Sequence, residues 1–255
     1  MNKQRFISAF LLIFTVVMIS CQKHESETIN TLAKTRRYGS LIRLKKDFEE
    51  RYIILHKHTF PGVLDQIRKC NIRNYSIFLK DGILFSHFEY IGTDYKNDIA
   101  KMANEVTREW WKLTDPMQDP LENRKQGEWW ASMELLYQMD TSLVDHESAR
   151  RFALVGRLKE NSIQNYKKRL GLIDNSLKEL ILASHFQNLT FYNWEDRIYF
   201  YFEYCSSNYK EDMGHLMNND KWQQLNSDLK DMMLPVSENN TDRTWQQMQE
   251  VFHTN

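Results

Sequence analysis

Phe88-Glu89-Tyr90 closes an apolar run that begins at Ile83, and the same triplet returns as Phe202-Glu203-Tyr204. Positions 88 and 202 lie 114 apart, and that spacing recurs in order along the chain. It pairs Arg37-Tyr38 with Arg151-Phe152, Tyr52 with Tyr166, Asn74 with Asn188, and Tyr95-Lys96 with Tyr209-Lys210. Trp130 and Met133 return as Trp245 and Met248, one residue later than the same offset. Ordered matches at constant spacing are the mark of an internal repeat. The chain therefore reads as two homologous modules, residues 36–140 and 150–255, joined by a polar connector at 141–149.

Each module carries the same order of elements. In the first, Tyr38–Leu44 reads as a strand, and a helical stretch runs from Asp47, a candidate N-cap, towards Lys69. Pro61 lacks an N–H, so the helix kinks or restarts near Phe60. The strands Tyr75–Leu79 and Ile83–Ile91 flank Lys80-Asp81-Gly82, a hairpin signal. A helix over 97–111 and a last strand at Met133–Tyr137 complete the βαββαβ, or ferredoxin-like, order. The second module repeats it with a strand at 151–158, a helix at 162–183 and strands at 188–193 and 197–204. A helix at 209–226 and a strand at 246–252 follow. One such sheet leaves a face bare. Two sheets packed face to face cover both, so the expected architecture is α+β, an intramolecular dimeric α/β barrel.

Composition narrows the function. Lys plus Arg and Asp plus Glu each total 34, a net charge of zero, which argues against general nucleic-acid binding. The leader has Lys3 and Arg5 before an apolar run, Phe6–Ile19, that is short for a membrane span. It ends Met18-Ile19-Ser20-Cys21, which resembles a bacterial lipobox. The resemblance implies a signal peptide at 1–20, lipidation of Cys21 and a cell-envelope location. Residues 21–35 then form a tether. The other cysteines, Cys70 and Cys205, allow one disulfide or two buried thiols. Neither has metal-ligand spacing, and no metal or other cofactor is implied.

The chemistry gathers around Tyr52-Ile-Ile-Leu-His56-Lys-His58-Thr-Phe60-Pro61. Tyr52 and His56 are four apart and share a helix face, whereas His58 points elsewhere. With Tyr75 and Trp110-Trp111 they make a set suited to a sugar: aromatic faces, hydroxyls, and one group that moves protons near neutral pH. Each residue taken singly reads equally well as core. Trp129-Trp130 is a second indole pair that the sequence does not rank against the first.

The ordered set resembles the L-rhamnose mutarotase family over residues 36–140. The matching segments are Tyr52-x-x-x-His56 with Phe60-Pro61, Asn74-Tyr75-x-Ile77, Trp110-Trp111-Lys112 with Asp115 and Met117, and Glu134-Leu-Leu-Tyr137. The resemblance implies a carbohydrate anomer isomerase. His56 stands at the position of the catalytic proton donor, and Tyr52, Tyr75, Trp110 and Trp111 stand at sugar-contacting positions. The second module keeps Tyr166 but has Leu170 for His56, Leu189 for Tyr75 and Trp222-Gln223 for the tryptophan pair. One working site per chain is expected, in a monomer whose second half is structural. The competing expectation is a sugar-binding or sensing lipoprotein without turnover. The sugar itself, L-rhamnose or another 6-deoxyhexose, stays open.

Overall fold

The computed structural model describes residues 35–139, 148–236 and 243–255. The leader and tether lie outside the described residues, as does most of the connector. In chain order the elements are β1 (Arg36–Leu44), α1 (Glu49–Lys57), α2 (Pro61–Lys69), β2 (Ile72–Lys80), β3 (Ile83–Tyr90), α3 (Tyr95–Ala100), α4 (Glu105–Thr114), β4 (Gln118–Asp119), β5 (Ala131–Ser132) and β6 (Glu134–Gln138). There follow β7 (Arg150–Leu158), α5 (Ile163–Leu170), α6 (Asn175–Ala183), β8 (Phe186–Trp194), β9 (Arg197–Tyr204), α7 (Tyr209–Met217), α8 (Asp220–Asp231), β10 (Met233–Leu234), β11 (Gln246–Gln247) and β12 (Gln249–Thr254).

The strands form two six-stranded antiparallel sheets, β12-β2-β3-β1-β4 with β5 also on β1, and β10-β7-β9-β8-β6 with β11 also on β7. One expectation is overturned here. The last strand of each module does not join its own sheet. β6 pairs with β8, Leu135 opposite Tyr192, and β12 pairs with β2, His253 opposite Ser76. The cores follow the exchange: Val251 and Phe252 pack in the first module's core, and Leu136 and Met139 in the second's. Because the two sheets are homologous, each edge accepts either last strand, and a sequence repeat is blind to which one it receives.

The predicted long helices are each two. Pro61 opens α2, so the restart is observed. In the other predicted helix of this module, Asn104 caps α4 by accepting the Thr107 N–H at 2.8 Å. Gln66 Nε2 donates to the Lys101 carbonyl at 2.6 Å, satisfying an acceptor near that break. Asp174 and Asn219 cap α6 and α8 in the same way. Asp47 is not an N-cap. It lies in a 3₁₀ turn, Lys46–Phe48, and α1 begins at Glu49 without a side-chain cap. Asp81 and Gly82 both take positive φ, 48° and 73°, as a tight hairpin with the twist of its strands requires.

The inner faces of the sheets meet in one apolar layer. Leu41, Phe78 and Phe85 pack there against Val155, Tyr192 and Tyr201. Gly39 admits the Tyr192 ring: a Cβ at this position would stand 2.8 Å from it. Beside this layer lies a buried polar clamp. Asn74 Nδ2 donates to Glu203 Oε1 at 2.7 Å and Asn188 Nδ2 to Glu89 Oε1 at 2.8 Å, each across the module boundary. Glu203 Oε1 also accepts from Asn188 at 2.9 Å and from the Tyr201 hydroxyl at 2.8 Å, and Oε2 from Gln187 at 2.9 Å. Arg37 Nε pairs with Glu89 at 3.4 Å, and its Nη1 donates to the Met139 carbonyl at 3.0 Å. Such donors are what make buried carboxylates tolerable.

Removing one of them exposes the cost. Asn188→Gly keeps the positive φ accessible and deletes two charge-assisted bonds. Denaturant unfolding should show a loss of about 3 kcal/mol. A change below about 0.5 kcal/mol would mean that the clamp contributes little to stability.

Candidate active site

The site begins with a backbone irregularity. Asn74 has φ 48°, and the β2–β3 register shifts between Arg73 and Ser76. This bulge inserts one residue, so Ile72 and Tyr75 both face the helices although they are three apart. It aims the Tyr75 side chain out of the sheet towards α1 and α4.

α1 brings Tyr52 and His56 to the same place. Their rings stack at 3.9 Å between centroids. Both are buried, while His58 is exposed and takes no part. From α4, Trp110 packs its edge against His56 at 5.2 Å and also against Phe60. Trp111, the next residue, is less buried, as adjacent helical positions about 100° apart allow. The five sequence-predicted residues therefore come together. Two clefts, of about 300 and 400 Å³, meet at His56, Tyr75, Trp110 and Trp111, and Tyr52 lines the larger.

The hydrogen bonds define the protonation. His56 Nδ1 lies 2.9 Å from the Tyr52 carbonyl oxygen. A carbonyl only accepts, so Nδ1 carries the hydrogen. Burial pushes the imidazole pKa down to about 4. At neutral pH the ring is therefore uncharged and its Nε2 presents a lone pair. The proton-donor role implied by the family resemblance thus needs a prior step: His56 must first accept a proton. Burial raises the pKa of Tyr52 and of Tyr75, so both phenols stay protonated.

Three contributors escaped the sequence reading. Trp129 Nε1 donates to Gln118 Oε1 at 3.1 Å, and Gln118 Nε2 donates to the Tyr52 hydroxyl at 3.4 Å. That chain occupies a Tyr52 lone pair and turns its proton away from Gln118. Trp129 was visible as half of an indole pair, but nothing in its sequence neighbourhood tied it to Gln118. The third is Phe252 on the exchanged strand β12, which packs edge-on against His56 at 5.7 Å and Tyr75 at 5.5 Å. Only the strand pairing shows it. Asp115 also lines the larger cleft, its carboxyl pKa raised by burial. No disulfide joins Cys70, which is buried, to Cys205, which is exposed.

Two antiparallel sheets face to face, with an aromatic cleft holding a neutral imidazole on one side, define a barrel of the dimeric α/β class. Solved structures agree on the fold. A candidate monooxygenase from Fusobacterium nucleatum aligns with a TM-score of 0.53 at 10% identity, covering 87% of this chain and 94% of that one. Another from Lactobacillus acidophilus gives 0.52 at 6%, covering 86% and 96%. At such identities the likeness is one of fold alone.

The sequence profile of L-rhamnose mutarotase matches residues 37–139 and again 151–254. The L-rhamnose mutarotase of Mannheimia succiniciproducens is 30% identical over 77 residues, 29% of this chain and 72% of that protein. That of Oceanobacillus iheyensis is 29% identical over 83 residues, 32% of this chain and 79% of that protein. The chain belongs to the L-rhamnose mutarotase family.

The His56 environment has a measurable sign. Its folded pKa lies below the ordinary 6.5, so its contribution to stability is full above pH 6.5. It is lost as pH falls through about 4. NMR titration of the ring should give a midpoint near 4. The stability advantage of the wild type over His56→Asn should shrink by roughly 3 kcal/mol between pH 7 and pH 3. A midpoint near 6.5 would contradict the buried, neutral assignment.

Proposed function

We propose that this protein is a sugar anomer isomerase whose single working site lies in the first module, and that its substrate is L-rhamnose or a related 6-deoxyhexose. The observation that carries the reading is the convergence of Tyr52, His56, Tyr75, Trp110 and Trp111 on one pair of joined clefts. Membership of the L-rhamnose mutarotase family supports the same class of reaction.

Mutarotation opens a hemiacetal and recloses it on the other face of C1. His56 Nε2 accepts the proton of the anomeric hydroxyl while the bond from C1 to the ring oxygen breaks. The ring oxygen gains a proton from a phenol, and Tyr52, whose hydroxyl proton is directed away from Gln118, is placed to donate it. After C1 rotates, the same transfers run backwards and His56 returns the proton, now as the donor. The Trp110 and Trp111 faces take the apolar C–H surfaces of the ring and the C6 methyl. In the second module Leu170 replaces His56, leaving no proton carrier at that position.

Saturation-transfer NMR on equilibrated L-rhamnose anomers tests the reading with protein lacking residues 1–21. The full site should accelerate exchange, and His56→Ala should lose about 10²–10⁴-fold of that acceleration. Undiminished exchange in His56→Ala would rule out this mechanism. Sugar binding without exchange in the wild type would instead identify a non-catalytic sugar-binding protein.

The leader supports a second, separable proposal: the mature chain is anchored to the cell envelope through lipid on Cys21. Among the described residues no helix is long and apolar enough to cross a membrane. Intact mass and membrane fractionation should show a diacylglycerol-bearing Cys21 at the mature N-terminus, both features being lost in Cys21→Ala. An unmodified Cys21 in membrane-free protein would exclude the anchor.

A further inference from the structure

We propose that the second module carries a binding site of its own, for a small, neutral, mostly apolar molecule with a carbonyl oxygen. The site is a cleft of about 220 Å³ bordered by α5, α8 and the β8–β9 strands. It occupies the place that the sugar cleft has in the first module. Tyr166, Leu170 and Leu189, the counterparts of Tyr52, His56 and Tyr75, all line it.

The replacements change its chemistry in one direction. Leu170 and Leu189 delete an imidazole and a phenol. Phe191 stands at the offset of Ile77 and Phe200 at that of Ser86, and their rings stack at 4.1 Å and 6°. A pyranose needs a partner for each hydroxyl, and these leucine and phenylalanine walls withhold them; beside Tyr166 and Trp222 the polar lining is Asn226, which already donates to the Trp222 carbonyl, Thr244, and the exposed Lys230. The volume nonetheless exceeds the 150 Å³ of an engineered apolar cavity that takes up benzene. One substituted six-membered ring fits.

Two polar atoms set the remaining requirement. The Tyr166 hydroxyl and the Trp222 Nε1–H belong to side chains that line the cleft, and both atoms are buried without a hydrogen-bond partner. Tyr166 is wholly buried. Burial raises its phenol pKa, so it stays a neutral hydroxyl able to donate. Indole N–H is a donor only. Donors left without acceptors in an aromatic cleft call for a ligand oxygen that accepts, and a carbonyl supplies two lone pairs without adding a donor.

Acetophenone and ethylbenzene separate the parts of this proposal, because they match in size and differ in the carbonyl oxygen. The measurement is titration of the protein lacking residues 1–21 by ligand-observed NMR, with intermolecular NOEs to assigned methyl groups. Acetophenone should bind the tighter of the two and show NOEs to Leu170 and Leu189. Tyr166→Phe should weaken acetophenone about 2–10-fold and leave ethylbenzene within about twofold. Should that variant fail to fold, the wild-type NOEs and the difference between the two probes still decide. Absence of binding by both probes, NOEs to the first module instead, or equal weakening of both by Tyr166→Phe would overturn the proposal. None of these outcomes depends on whether the first module isomerises a sugar.

Discussion

Asn74 and Asn188 each perform two tasks with one residue, and the rest of the structure depends on them. Each sits at a β-bulge with positive φ, 48° and 57°, a conformation that asparagine tolerates better than most side chains. The backbone task is to re-aim the next residue, Tyr75 or Leu189, towards the helices. The side-chain task is to carry Nδ2 across the module boundary to a buried glutamate of the other sheet. The geometry that aims Tyr75 into the cleft is therefore locked by the contact that holds the two halves together. A shift of one sheet against the other would disturb both.

Exchange of the last strands binds the halves further. β12 completes the first sheet and delivers Phe252 against His56 and Tyr75. The second half of the chain thus supplies part of the first module's cleft wall. Its own cleft stands in the same place, with Leu170 and Leu189 where the first has an imidazole and a phenol. One frame holds two chemically different clefts: both modules share the bulge and the inter-sheet clamp, while their helix-facing residues differ.

Much of this was legible in the sequence, for identifiable reasons. The 114-residue repeat exposed the two modules, and hairpin chemistry at Asp81-Gly82 fixed β2 and β3. The five residues that meet at the joined clefts were picked out through the family resemblance, whose segments they match in order, since each taken singly reads equally well as core. What escaped was non-local. Whether β6 and β12 stay at home or exchange is a choice between two similar sheet edges. Gln118 meets Tyr52 only when β4 pairs with β1, and Trp129 reaches Gln118 only once the irregular segment after β4 folds back. The helix breaks at Asn104, Asp174 and Asn219 were missed, although asparagine and aspartate are residue types that cap helices. His56 as a neutral acceptor depended on burial and on a bond to the Tyr52 carbonyl, neither of which has a sequence signature.

The central claim is one sugar site per chain, in the first module, with the neutral His56 imidazole facing the sugar. Equilibrium titration of the full chain with L-rhamnose, read at the His56 ring nitrogens by ¹⁵N NMR, tests it most directly. The account predicts saturation at one sugar per chain, with the Nε2 resonance shifting as the sugar binds and Nδ1 keeping its hydrogen. Two sugars per chain, or one whose binding leaves the His56 nitrogens unmoved, would contradict it.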